Sequence, residues 1–348
     1  MIVTSADGKL VLSITVEADQ PHLITGLLAQ PAELPDPPDT WENIDAAIAN
    51  AAPRFTYLAA EVDGVDDLGA LTTIRSAGPS DSVPLGSAFK LYVLGALVHA
   101  IESGEIGWDD ELTITDELKS LPSGELQDRP AGETVSVREA AEKMIQISDN
   151  TATDLLIDRL GRDAVEAVLT PMGMSAESQQ RTLPFLTTRE VFTLKWGIDR
   201  SELDAYVAAD LAGRRQILAG PGDQLPTVAD FDPDVPVAID DVEWFATAPE
   251  IAAAHLWLGA YSERPGFEPL AGILGTNPGV PLDPSVWSQA SFKGGSEPGV
   301  VFLGWLLHRA DGRRFVVVVS ASNPSDTVDE LAVVSAAQGI IELIATEP

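Results

Sequence analysis

Ser87 and Lys90 stand three residues apart at the start of an apolar run, PLGSAFKLYVLGALVHAIE, residues 84–102. On a helix that spacing puts both side chains on one face, so an amine reaches a hydroxyl without any loop rearranging. This is the geometry of a nucleophile and its base. Ser87 would also sit among the unpaired N–H groups of a helix start, where the dipole favours an oxyanion forming nearby. A serine there serves equally as an ordinary cap, and a lysine can snorkel to solvent, so the pair alone does not decide. Two further groupings bear on it: Ser148-Asp149-Asn150 and Lys293-Gly294-Gly295.

Composition narrows the chemistry. The 348 residues include no cysteine, which excludes disulfides, thiol catalysis and thiolate metal sites. The four histidines, His22, His99, His255 and His308, are far apart in sequence and show no paired-ligand spacing, so neither a metal nor a histidine-based triad is expected. No cofactor is expected. Net charge is −33, from 21 Lys and Arg against 54 Asp and Glu spread along the whole chain, a balance that repels nucleic acid and anionic membranes. Against that background Lys90 and Lys293 are conspicuous, because both fall in apolar or glycine-rich settings. No stretch reads as a membrane span, and MIVTSADGK lacks the pattern of an export signal. The chain as it stands is therefore expected to be cytoplasmic, or secreted or lipid-anchored if a segment once preceded it.

The elements that must position these residues follow from periodicity. Residues 84–102 carry apolar side chains on nearly every side, as a helix through the middle of a domain does. Residues 1–28 alternate as strands, and 29–39 are a proline-rich acidic linker. Asp39 with Glu42 suggests the capping box of a helix through Trp41, Ile44 and Ile48, which Pro53 stops. Strands FTYLAAEV and ALTTIRS, joined by a turn rich in Asp and Gly, lead into the Ser87 run. After an irregular stretch, 104–138, helices are expected at AAEKMIQIS, TATDLLIDRL, DAVEAVLTPMG, TTREVFTLKW and ELDAYVAADLAGRRQIL. Residues 219–240 read as a loop, and EWFATAPEIAAAHLWLGAY as helix. SFKGG, VVFLGWLLHR and RRFVVVVSAS read as strands, closed by a helix in DTVDELAVVSAAQGIIELIA. Strands at both ends and helices between imply an antiparallel sheet flanked by helices, with a helical insert: an α/β chain of the α+β kind.

Taken together, SxxK at Ser87 and Lys90, SDN at Ser148 and KGG at Lys293 resemble the motif set of the serine β-lactamases and penicillin-binding proteins. That resemblance implies a class A β-lactamase-like fold over 40–348 and an acyl-enzyme on Ser87. Lys90 would take the serine proton once burial and the Lys293 charge lower its pKa. Ser148 would relay the proton to the leaving group, and Asn150 would bind the ligand. The N–H groups of Ser87 and Ser296 would form the oxyanion hole, with Gly294 and Gly295 leaving the strand edge open to a ligand. More narrowly, SLPSGELQDRP, EKMIQISDNTATDLLI, VEWFA and FKGGSEPGV resemble hydrolases related to the cephalosporin esterase of the clavulanic acid cluster and to a mycobacterial lipoprotein group. In that family a small steroid-isomerase-like domain precedes the hydrolase, and residues 1–28 resemble its last strands.

Two departures stand out. Gly294 replaces the usual threonine, a loss for which Ser296 is a candidate substitute. SAESQQRTLPFLTTREVF lacks the ExxLN glutamate that activates water in class A β-lactamases; its acids, Glu177 and Glu190, read as solvated or helix-start residues. The expected function is hydrolysis of a small-molecule ester or β-lactam-like substrate, with weak β-lactam turnover. A D-alanyl-D-alanine carboxypeptidase acting on peptidoglycan peptide and a non-turnover penicillin sensor are the alternatives. Trp244, Phe245 and Trp257 read as core first and cleft lining second.

Overall fold

The computed structural model describes residues 36–63, 70–121, 123–220, 225–226, 230–232 and 234–347, together with the backbone strands Ile2–Ser5, Gly8–Val16 and Ile24–Pro31. Those three strands form an antiparallel sheet of their own, and the third runs to Pro31, inside the stretch read as linker. The Asp- and Gly-rich turn at 64–69 and part of loop 219–240 lie outside the described residues.

Five strands make the central sheet: β1 (Arg54–Val62), β2 (Leu71–Ala77), β3 (Trp287–Glu297), β4 (Val300–Arg309) and β5 (Arg314–Ser322). Their order is β3-β4-β5-β1-β2 and every pairing is antiparallel, so the two ends of the domain meet where β5 pairs β1. Both faces of the sheet are covered. Val316 and Val318 of β5 point into the larger core, while Phe315, Val317 and Val319 point into the second. That two-sided burial is why β4 and β5 read as unbroken apolar runs rather than alternating ones.

Helices α1 (Trp41–Ala51) and the terminal Glu330–Ala345 pack together on the second face through Ile44, Ile48, Ile340, Ile341 and Ile344. The cap of α1 is Thr40, whose hydroxyl accepts the Asn43 N–H at 3.2 Å; Asp39 instead takes the Asn43 amide. The capping box expected of Asp39 and Glu42 is not formed, because the helix begins one residue later. On the larger core, α2 (Lys90–Glu102) has ten of its thirteen residues buried, as its all-round apolar pattern requires. Residues Gly86–Phe89 precede it as a tighter 3₁₀ turn. Helices α3 (Val137–Gln146) and α4 (Asn150–Leu160) pack beside it.

Several local expectations shift. The run 202–218 is two helices, Arg200–Ala208 and Leu211–Leu218, because Asp210 caps the second by accepting the Gly213 N–H. Residues 176–182 form a helix that was not expected. Phe245–Ala246 is a short strand pairing Val83–Pro84, and the helix after it starts at Ala248 behind a Thr247–Glu250 capping box. No helix of the described residues is long and apolar enough to cross a membrane.

Leu94 of α2 is fully buried in the larger core. Leu94→Ala is expected to cost about 2–5 kcal/mol, read as a lower denaturant midpoint at unchanged slope.

Candidate active site

The 3₁₀ turn, the α3–α4 junction and β3 bring the three groupings together. Lys90 is fully buried, and its Nζ lies 3.2 Å from Ser87 Oγ. It also reaches Ser148 O at 2.6 Å, Ser148 Oγ at 3.1 Å and Asn150 Oδ1 at 2.7 Å. The backbone carbonyl and the amide oxygen can only accept. They occupy two amine protons, so a neutral Lys90 has its lone pair left for the Ser87 hydroxyl. The Asn150 orientation is fixed independently, since its Nδ2 donates to Leu121 O at 3.0 Å.

Lys293, buried on β3, donates to Ser148 Oγ at 3.1 Å and to Gly294 O at 2.5 Å. One serine hydroxyl thus links two amines. Burial pushes Lys293 down to about 7. Lys90 is held well below the ordinary lysine value, first by burial and then by the Lys293 charge, with Asp149 and Asp154 pulling the other way. The Lys90 shift favours the uncharged amine that a general base must be.

Ser148 is a non-glycine residue in the left-handed region, φ 58°, at a cost of about 1–2 kcal/mol. The surroundings hold it there. Its carbonyl accepts from Lys90 and from Ser123 Oγ at 2.6 Å, while Asp149 N donates back to Lys143 O at 3.0 Å. Asp149 is buried and caps α4 through the Ala152 N–H at 2.7 Å; its second oxygen accepts the Glu125 and Leu126 N–H groups at 2.7 and 2.9 Å. The motif was legible, but this clamping role of its middle residue was not.

The turn before Ser87 and the strand before Ser296 also approach closely. Gly86 has φ 47°, and a methyl group added to it would lie 3.0 Å from Ser296 N. One added to Gly295 would lie 2.4 Å from Ser87 N and 2.3 Å from Leu85 O, so the close approach of turn and strand requires glycine there. Gly294 faces the Phe292 ring and Leu303. Ser87 and Ser148 are half-buried and Ser296 is exposed, so the site opens to solvent.

Residues 65–216 match the model of the β-lactamase enzyme family. Among solved structures the chain is similar to a β-lactamase from Sphaerobacter thermophilus DSM 20745, with 19% identity and a TM-score of 0.58 over 89% of this chain and 99% of that one. An ancestral class A β-lactamase shows 18% identity and a TM-score of 0.57, over 87% and 98%. A mutant of PBP-A, solved as an acyl-enzyme complex with penicillin G, shows 19% and 0.54, over 88% and 98%. The fold is class A β-lactamase-like. No curated protein matches the chain.

Of the two acids weighed between the second and third motifs, Glu190 is otherwise engaged. Glu190 closes a capping box on Thr187 and pairs Arg162 at 2.6 Å; Glu177 is exposed at a helix start. Trp244 and Phe245 are buried, Trp244 stacking on Phe89 at 3.5 Å, so they are core, while Trp257 packs partly buried against that core. Sequence reasoning missed Lys195, Glu243 and Glu297. The available signal was Glu243 inside the apolar stretch VEWFA, where a charge needs a partner.

The two lysine shifts fix a pH profile. Acylation of Ser87 is expected to rise as pH climbs through the Lys90 titration, since only the neutral amine accepts a proton. It is not expected to fall above about 7, where Lys293 loses its charge, because that loss returns no proton to Lys90. Rates of adduct formation from pH 5 to 9 check this, and a fall above about 7 would give the Lys293 charge a role of its own in the reaction.

Proposed function

We propose that the protein is an acyl-serine hydrolase acting on small esters and β-lactam-like amides. The observation that carries this is the buried Lys90 amine, 3.2 Å from Ser87 Oγ with its two other protons taken by pure acceptors. In the reaction Ser87 Oγ attacks the carbonyl carbon as its proton passes to Lys90. The tetrahedral oxyanion is held by the Ser87 and Ser296 N–H groups. Lys90 returns the proton through Ser148 to the departing oxygen or nitrogen, and water then releases the acid from Ser87.

An ester side arm, such as the 3′-acetoxy group of a cephalosporin, is the favoured substrate over the β-lactam ring. The engaged state of Glu190 and the exposed position of Glu177 support this, because an acyl-enzyme derived from a β-lactam then lacks a dedicated carboxylate base. The same observation favours a second reading, in which a penicillin adduct persists and the protein serves as a penicillin-binding sensor. A PBP-A mutant, a structural neighbour solved as an acyl-enzyme complex with penicillin G, is consistent with it.

Intact-protein mass spectrometry after incubation with penicillin G or a 3′-acetoxy cephalosporin, with released acetate measured, separates these readings. A covalent adduct or acetate release is expected, lost by on the order of 10⁶-fold in Ser87→Ala. Rapid acetate release with a slow-clearing penicillin adduct supports the esterase. Absence of both products, or their survival in Ser87→Ala, overturns the proposal.

A further inference from the structure

A buried ion cluster sits directly behind the two expected oxyanion donors. Lys195 lies in the wide helical turn Thr193–Gly197, and its side chain is wholly buried. Its Nζ donates to both Glu297 carboxylate oxygens at 2.6 Å and to Glu243 Oε1 at 3.4 Å. The other Glu243 oxygen accepts the Gly86 N–H at 3.2 Å and the Trp244 N–H at 3.1 Å. Glu297 follows Ser296 on β3, and Gly86 precedes Ser87.

One ammonium therefore ties together the two backbone segments that carry the Ser87 and Ser296 N–H groups. Stability is a poor reason for this arrangement. Replacing a buried ion triad with apolar side chains of similar volume is often neutral or stabilising. Two carboxylates share one cation here, and burial, with the Glu243 charge adding to it, raises Glu297 well above the usual carboxylate range. What the cluster supplies that an apolar trio would not is a directional chain of contacts from the Gly86 N–H through Glu243 and Lys195 to the side chain of Glu297, the residue after Ser296.

We infer that Lys195 is a positioning residue for the oxyanion hole, fixing Gly86–Ser87 through Glu243 and Ser296 through Glu297. This rests on the acyl-serine reading given above. Donor placement within a fraction of an ångström is what such a hole needs, and a displacement of about 1 Å is enough to cost on the order of 100-fold in rate.

The test compares Lys195→Met, Lys195→Arg and an apolar triple variant, Lys195→Met with Glu243→Leu and Glu297→Leu. A fluorescent penicillin and a chromogenic ester, each followed over a range of concentrations, give the acylation rate constant and the non-covalent binding constant separately. Amide hydrogen exchange reports on residues 84–89 and 294–298. The triple variant is relieved of the buried charges but loses the acceptor of the Gly86 and Trp244 N–H groups, so it is expected to stay folded with an unfolding temperature near or somewhat below wild type, and to acylate about 10–100-fold more slowly, with binding changed less than about 3-fold. Lys195→Arg, which keeps a cation between the carboxylates, is expected to recover most of the rate. Exchange at 84–89 and 294–298 is expected to quicken in the triple variant. A folded triple variant with the wild-type acylation rate overturns the inference and leaves a purely structural ion cluster. A wild type that neither probe acylates overturns the acyl-serine reading instead. The exchange comparison then decides the clamp alone, unchanged protection of both segments counting against it.

Discussion

Everything at this site depends on keeping one amine neutral in the interior. A lysine removed from water loses far more as an ammonium than as an amine, and a second amine brought near it adds repulsion. Lys90 meets both conditions, with Lys293 reaching the same Ser148 hydroxyl. The arrangement is intrinsically unfavourable for folding at neutral pH, since the unfolded chain holds protons on both lysines that the folded chain tends to release. It persists because α2 is buried along nearly its whole length and cannot turn Lys90 toward solvent without exposing Leu91, Leu94, Leu97 and Val98.

That constraint propagates outward. A buried amine needs acceptors of fixed direction, which is what the left-handed Ser148 and the doubly anchored Asn150 provide. Ser148 in turn keeps its strained backbone because Asp149 binds α4 on one side and the 125–126 turn on the other. Opposite them, β3 comes close enough to the 3₁₀ turn only because Gly86 and Gly295 lack side chains. Three elements separate in sequence are therefore held by hydrogen bonds to groups they could not otherwise satisfy.

How far the sequence revealed this depends on whether the cause was local. The five sheet strands and α2 were legible from apolar runs, and the three groupings from residue type and spacing, because periodicity and side-chain chemistry act over a few residues. The break at Asp210 was not, since its side chain competes for a helix end that composition alone does not locate. Thr40 displaced Asp39 as the α1 cap for the same reason. The Lys195 cluster was missed on different grounds: Glu243 in its apolar stretch signalled the need for a partner, but Lys195 and Glu297 are ordinary alone, and the three meet only through the tertiary fold.

The segment between the second and third groupings also explains why removal of an acyl group should be the slow half of the proposed reaction. Among its described carboxylates, Glu166 accepts the Phe185 N–H and binds Arg215, and Glu190 binds Arg162 and the Thr187 N–H. Glu243 faces Gly86 and Lys195, and Glu250 accepts from Ser175, Ser178 and Thr247. Each of these carboxylates is committed to donors, and turning to take a proton from water would break the contacts that hold it. In the proposed reaction the group beside Ser87 is Lys90, which would first pass its proton through Ser148 to the leaving group before it could take one from water. An ester that sheds its alcohol completely allows that reset. A β-lactam whose amine stays tethered to the acyl group keeps the expelled nitrogen near Ser148, and the same two lysines then have to serve both halves of the cycle in a crowded site.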